Sequence, residues 1–121
     1  MGLDQFLFRK AKKQIGGEVG YWRKANHIHR WFVQECQDGI DECQYSNDIT
    51  PEKLKQLKGL CEQVLADHDK AEELLPTQGG FFFGGTSYDE WYFESLEETI
   101  GIIDDATAGS GTDDFVYCSS W

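Results

Sequence analysis

The sequence predicts an α+β fold in which three helices pack on a small sheet, and three observations carry that prediction. Three segments place apolar residues at helical spacing. Three others, at residues 2–10, 81–83 and 113–121, are rich in Phe, Leu, Val or Tyr and follow no helical period. Finally, the 121 residues are 40% hydrophobic and 14% aromatic with no linker long enough to divide them, so residues 1–121 form one domain. The expected sheet is built from the N-terminal strand, the C-terminal strand and the short Phe-rich strand.

Taken in order, GLDQFLFRK at 2–10 reads as the first strand, and Ile15–Gly20 reads as a loop because of its three glycines. Stepping by 100° per residue puts Trp22, Ala25, His29, Phe32, Val33 and Cys36 on one face, which predicts a helix over 22–37 ended by Asp38-Gly39. Residues 40–49 read as irregular or as a short edge strand. Thr50-Pro51-Glu52 starts a second helix to about residue 68: Thr caps, Pro takes the first position, and Glu suits the positive end of the dipole. Leu54, Leu57, Cys61, Val64 and Leu65 form its apolar face. Leu74–Gly80 reads as a loop and Phe81–Phe83 as a buried strand. Ser87 with Glu90 forms a capping box for a third helix over 88–106, with Tyr92, Phe93, Leu96, Ile100 and Ile103 facing inward. The final DDFVYCSSW is a strand by composition.

The formal charge is −11, from 22 acidic and 11 basic side chains. Such a charge argues against direct binding to DNA, RNA or an anionic membrane. It is unevenly distributed. Residues 1–36 hold seven cations and three acids, a local +4, and the remainder carries −15. The start MGLDQFLFRKAKK is not a secretory signal, and no stretch approaches the ~20 apolar residues of a membrane span, so a cytoplasmic protein is expected. Cys36, Cys43, Cys61 and Cys118 form no C-x-x-C pair and are expected as reduced thiols. No metal or cofactor is expected: His27 and His29 would point about 200° apart on a helix and cannot share an ion.

The first helix is the most informative segment for function. Opposite its apolar face lie Arg23, Lys24, His27, Arg30, Trp31 and Gln34, with Arg23, His27, Arg30 and Gln34 following i, i+4, i+7, i+11. Such a stripe suits a ligand with negative charge and a π-face, because guanidinium groups hold phosphates and Trp stacks on a base. The competing reading is that the stripe pairs with the chain's own acidic remainder. His29 faces the core as a satisfied histidine, whereas His27 is a candidate hydrogen-bond donor or general acid. A second candidate is Gly79–Tyr92, where Gly84-Gly85-Thr86-Ser87 precedes a helix and offers N–H groups and hydroxyls to an anion. Asp89 and Glu90 oppose that role, and a glycine turn with a capping box explains the same residues. Tyr88 and Trp91 fall off the apolar arc and are available to line a pocket. Thirdly, Asp89, Glu90, Glu94, Glu97, Glu98, Asp104 and Asp105 share one half of the third helix over about 24 Å. That is roughly one charge per 3.4 Å, the spacing along a single DNA strand; a solvated helix face accounts for it equally. No G-x-S-x-G and no activated cysteine supports catalysis.

The words EVGYWRKAN, IH and WF within residues 17–32, the MGLD start and LLPTQGGFFFGGTSYDEWYFESLEETI resemble a group of small uncharacterised proteins carried by phages and prophages. The resemblance spans most of the chain. It implies that Trp22, Arg23, Lys24, Asn26, His29, Trp31, Thr77, Phe82, Thr86, Tyr88, Asp89 and Trp91 belong to signature segments of the group, and that the protein acts in an infected bacterial host. The glycines at Gly101 and Gly109–Gly111 depart from the pattern and leave the end of the third helix open.

Small phage accessory proteins act more often by binding than by catalysis, by analogy alone. The leading expectation is therefore a non-enzymatic protein that counters host defence by sequestering a small anionic, nucleotide-like signal. Its expected ligand-binding residues are Trp22, Arg23, Lys24, Asn26, His27, Arg30, Trp31, Thr77, Phe82, Thr86, Tyr88 and Trp91. The alternative is an acidic mimic of nucleic acid that inhibits a host defence protein through the third helix. A phosphodiesterase-like enzyme using His27 is the third reading, and a homo-oligomer is compatible with each.

Overall fold

The computed structural model describes residues 3–11, 14–36, 39, 46–77, 87–108 and 114–120. The fold is α+β. Strands β1 (Asp4–Ala11) and β2 (Gln14–Arg23) pair antiparallel; helix α1 (Asn26–Cys36), edge strand β3 (Ser46–Ile49) and helix α2 (Pro51–Ala66) follow. A 3₁₀ turn at His68–Lys70, the one-turn α3 (Ala71–Leu74), the long α4 (Glu90–Thr107) and β4 (Asp114–Ser120) complete the described elements. The sheet order is β2-β1-β4-β3, antiparallel at every described pairing. One sheet face is covered by the helices. Gln5 and Leu7 of β1 and Phe115, Tyr117 and Ser119 of β4 alternate onto that face and are buried. The core continues through Trp22, Ile28, Phe32, Leu54, Leu57, Tyr92, Leu96 and Ile103. Phe32 stacks on Tyr117 at 3.9 Å, and Tyr117 Oη meets His29 Nδ1 at 2.7 Å, so His29 is a buried, satisfied histidine.

Several local expectations are corrected. Residues 15–20, expected as loop, lie within β2, because pairing with β1 outweighs the weak strand propensity of glycine. Gly20 has a positive reason to be there: a Cβ at that position would run into the Ile102 side chain of α4. The first helix starts at Asn26 rather than 22, since Trp22 and Arg23 end β2 and Lys24 adopts a left-handed φ of 55° that no helix continues. That turn is clamped. Lys24 N donates to Leu3 O at 2.7 Å, while the Gln5 amide donates to Ala25 O at 3.1 Å and accepts from Ala25 N at 3.0 Å. The Thr50 cap is as expected, its hydroxyl accepting from Lys53 N at 3.2 Å, but α2 stops at Ala66 and part of the expected 74–80 loop belongs to α3. Helix α4 is capped by Asp89, which accepts from Tyr92 N at 3.1 Å, in place of the Ser87 capping box. Its far end is met by Arg9, whose guanidinium donates to Ala106 O at 2.9 Å where the dipole favours a cation. The Phe81–Phe83 strand lies outside the described residues. Cys36, Cys61 and Cys118 are free thiols, and Cys43 lies outside the described residues. Burial pushes the Cys36 thiol up to about 11 and Cys61 to about 12. Among the described residues no helix is long and apolar enough to cross a membrane.

Candidate functional site

Helix α1 begins at Asn26, so His27, Arg30, Trp31 and Gln34 keep helical spacing and share the side facing α2 and the turn after α3. There they line a cavity of about 120 Å³ with Glu35, Leu60, Leu74, Leu75 and Pro76. The wall opposite α1 is fastened to α4. Tyr92 Oη donates to Leu75 O at 2.7 Å, and Thr77 N donates to Tyr88 Oη at 3.3 Å, so two tyrosines hold the 75–77 turn in place. Burial raises the Tyr92 pKa well above that of a free phenol and keeps it a donor. Of the lining side chains Arg30 and Glu35 are charged, and Glu35 has the Lys53 ammonium 3.6 Å away, which leaves the rim with two cations and one carboxylate.

His27 is the most constrained residue of the site. It is 1% exposed, tilts over Tyr92 with ring centroids 4.3 Å apart, and meets the edge of Trp91 at 6.4 Å. Its Nε2 lies 2.7 Å from Ser95 Oγ, and that hydroxyl donates to Tyr92 O at 2.5 Å. A serine has one proton to give. That hydroxyl lies within reach of both Tyr92 O and His27 Nε2, so the direction of the His27–Ser95 bond follows the imidazole tautomer. Among the described residues Nδ1 has no partner. Burial pushes the imidazole down to about 3, so the ring is neutral at pH 7. Its Nε2 is engaged by Ser95 Oγ, whichever of the two atoms holds the shared proton.

Other expected site residues divide into three groups. His27, Arg30 and Trp31 are brought together on the cavity, with Thr77, Tyr88 and Trp91 adjoining it through the contacts above. Trp31, expected to present its ring outward, is 6% exposed and packs edge-on against Phe32 at 5.1 Å, because the α2 and α3 side of α1 is covered rather than solvated. The aromatic groups that do reach solvent are Trp91, 45% exposed, and Tyr88, 36% exposed. Trp22, Arg23, Lys24 and Asn26 are not on the cavity lining. Trp22 is interior and donates from Nε1 to Thr99 Oγ1 at 2.8 Å; Arg23 is exposed at the end of β2 opposite Asp4; Asn26 is buried at the start of α1. The stripe breaks there because a strand and a left-handed turn replace the predicted first helical turn. Phe82 and Thr86 lie outside the described residues. Sequence reasoning missed Ser95 and the Leu74–Pro76 wall. Ser95 left a signal: it occupies a core-facing position of α4 between Tyr92 and Thr99, where a polar residue needs a partner.

Compared with known proteins, the chain matches no family model, no curated protein and no solved structure.

Proposed function

We propose that this protein is a non-catalytic binding module for a small anionic, nucleotide-like ligand, held where α1 faces the 74–77 turn and the start of α4. The observation that carries this reading is the convergence of Arg30 and the buried His27 on one cavity, beside the solvent-exposed rings of Trp91 and Tyr88. Guanidinium pairs with phosphate, and an exposed indole stacks on a base. An infected bacterium is the setting that the resemblance to phage proteins implies, and sequestration of a nucleotide signal of host defence is proposed by analogy with small phage accessory proteins. Calorimetric titration with mononucleotides, cyclic nucleotides and ADP-ribose-type compounds tests it. Binding should weaken about tenfold or more in Arg30→Ala, the loss of one hydrogen bond to a charged group, and also in Trp91→Ala, while Arg23→Ala leaves it unchanged. No binding across the panel sinks the proposal.

One observation favours a second reading. All seven carboxylates on the outer side of α4 and at its cap, from Asp89 to Asp105, are exposed, as a nucleic-acid mimic requires. Inhibition of a host nucleic-acid-binding defence protein should then be lost when Glu94, Glu97 and Glu98 are changed together to Lys and retained in Arg30→Ala. The opposite pattern rejects the mimic.

A further inference from the structure

The sheet is open at β2. In the order β2-β1-β4-β3 it is a terminal strand, and among the described residues only β1 pairs with it. A strand at a sheet edge presents a row of free N–H and C=O groups, and proteins blunt such rows with short strands, lysine or proline. The opposite edge is blunted in this way, since β3 is four residues long. Strand β2 is not. It runs for ten residues, Gln14–Arg23, without a lysine or a proline.

The side chains along β2 complement a reversed copy of the same strand. Counted along the ladder to β1, the steps are Arg23, Trp22, Tyr21, Gly20 and Glu18, with Val19 the extra residue of a bulge. Tyr21 is the midpoint. Antiparallel pairing about that point sets Arg23 against the partner's Glu18, Trp22 against the partner's Gly20, and Tyr21 against the partner's Tyr21. Each of these pairs shares a sheet face. Trp22 is buried toward the helices and the Cβ position of Gly20 lies against Ile102, whereas Arg23, Tyr21 and Glu18 are exposed on the other face. Glu18 and Arg23 carry opposite charges, and among the described residues neither has an ion-pair partner in its own chain. A slip by one residue separates both charge pairs and turns the partner's helices to the other side of the joined sheet.

We infer that β2 is a self-association edge. Two copies pair β2 to β2 about a two-fold axis at Tyr21 and join two four-stranded sheets into one, with an Arg23–Glu18 pair at each end of the seam and the Tyr21 rings side by side at its centre. A two-fold contact makes every unlike pair twice, so each match or mismatch counts double. Five ladder steps form a small interface, and the dimer is accordingly a weak one. This association is independent of the ligand reading.

Sedimentation velocity of the full chain from about 10 µM to about 1 mM, the range over which weak association develops, tests it. Salt of about 0.15 M, with a Debye length of about 8 Å, screens the net negative charge of the two copies. Wild type should pass from monomer to dimer within that range. Glu18→Arg sets like charges against each other at both ends of the seam, and so does Arg23→Glu; each should weaken dimerisation at least about tenfold. An equimolar mixture of the two variants restores opposite charges in every pair and should form a heterodimer at the concentrations at which wild type dimerises. Both side chains are exposed, so the changes leave the fold intact. Wild type that stays monomeric at about 1 mM, a dimer indifferent to both reversals, or a mixture that stays monomeric overturns the inference.

Discussion

A buried histidine makes folding depend on pH in a way that one substitution isolates. His27 falls from its ordinary 6.5 to about 3 on folding, through burial. Below pH 6.5 the unfolded chain takes up this proton and the folded chain does not, so protons favour unfolding. The His27 contribution is thus fully present above pH 6.5 and is lost as pH falls toward about 3, at about 1.4 kcal/mol per pH unit. Carboxylates titrate in the same range, so the comparison that matters is with His27→Gln, which keeps a donor for Ser95 but does not titrate. Urea unfolding at pH 7, 6 and 5 should show wild type losing about 1–2 kcal/mol more than His27→Gln across the series. Parallel curves would mean that the imidazole is solvated in the folded protein.

Elements were legible from sequence where local chemistry decides them and illegible where packing does. Helix α2 announces itself, because Thr50, Pro51 and Glu52 each favour a helix start for a separate reason. Helix α4 is legible from Tyr92, Leu96 and Ile103, although its cap is Asp89 and not Ser87: either side chain can satisfy an orphan N–H, and the chain direction entering the helix selects between them. The glycines of β2 lower its strand propensity, and Trp22 is as apolar as the α1 face it precedes, so locally this stretch resembles a loop followed by a helix. What makes β2 a strand lies elsewhere in the chain, in its ladder to β1 and in the close approach of Ile102 to Gly20. The candidate site divides in the same way. His27, Arg30 and Gln34 are one helix face in any register of α1, so their convergence was readable. That the face is roofed by Leu74–Pro76, and that Ser95 meets the His27 ring, depends on contacts 68 residues apart in the case of His27 and Ser95. No local signal carries a separation of that length.

Across the whole molecule, a net charge of −11 on 121 residues works against compactness, and salt should show it. Seven of the acids occupy the exposed side and cap of α4, within about 24 Å along one helix, so neighbours lie inside the ~10 Å Debye length of 0.1 M salt. Unfolding separates them; folding holds them together. Raising NaCl from about 0.05 to about 0.5 M cuts the screening length to a few ångströms and should raise Tm by roughly 4 °C, the equivalent of about 1 kcal/mol for a domain of this size. Attractive pairs lose strength in the same titration, but the pairs given among the described residues, Lys58 with Asp104 at 2.6 Å and Lys53 with Glu35 at 3.6 Å, are surface pairs, and such pairs contribute little. The net sign is therefore stabilisation. The proposed ligand binding should respond in the opposite direction, because the attraction proposed between a phosphate and Arg30 is one that salt screens. Thermal melts and calorimetric titrations over one salt series should thus diverge, with Tm rising as affinity falls. A Tm that is flat or falls in NaCl would mean that the acidic surface is already neutralised within the fold, the arrangement in which the basic stripe serves its own chain instead of a ligand.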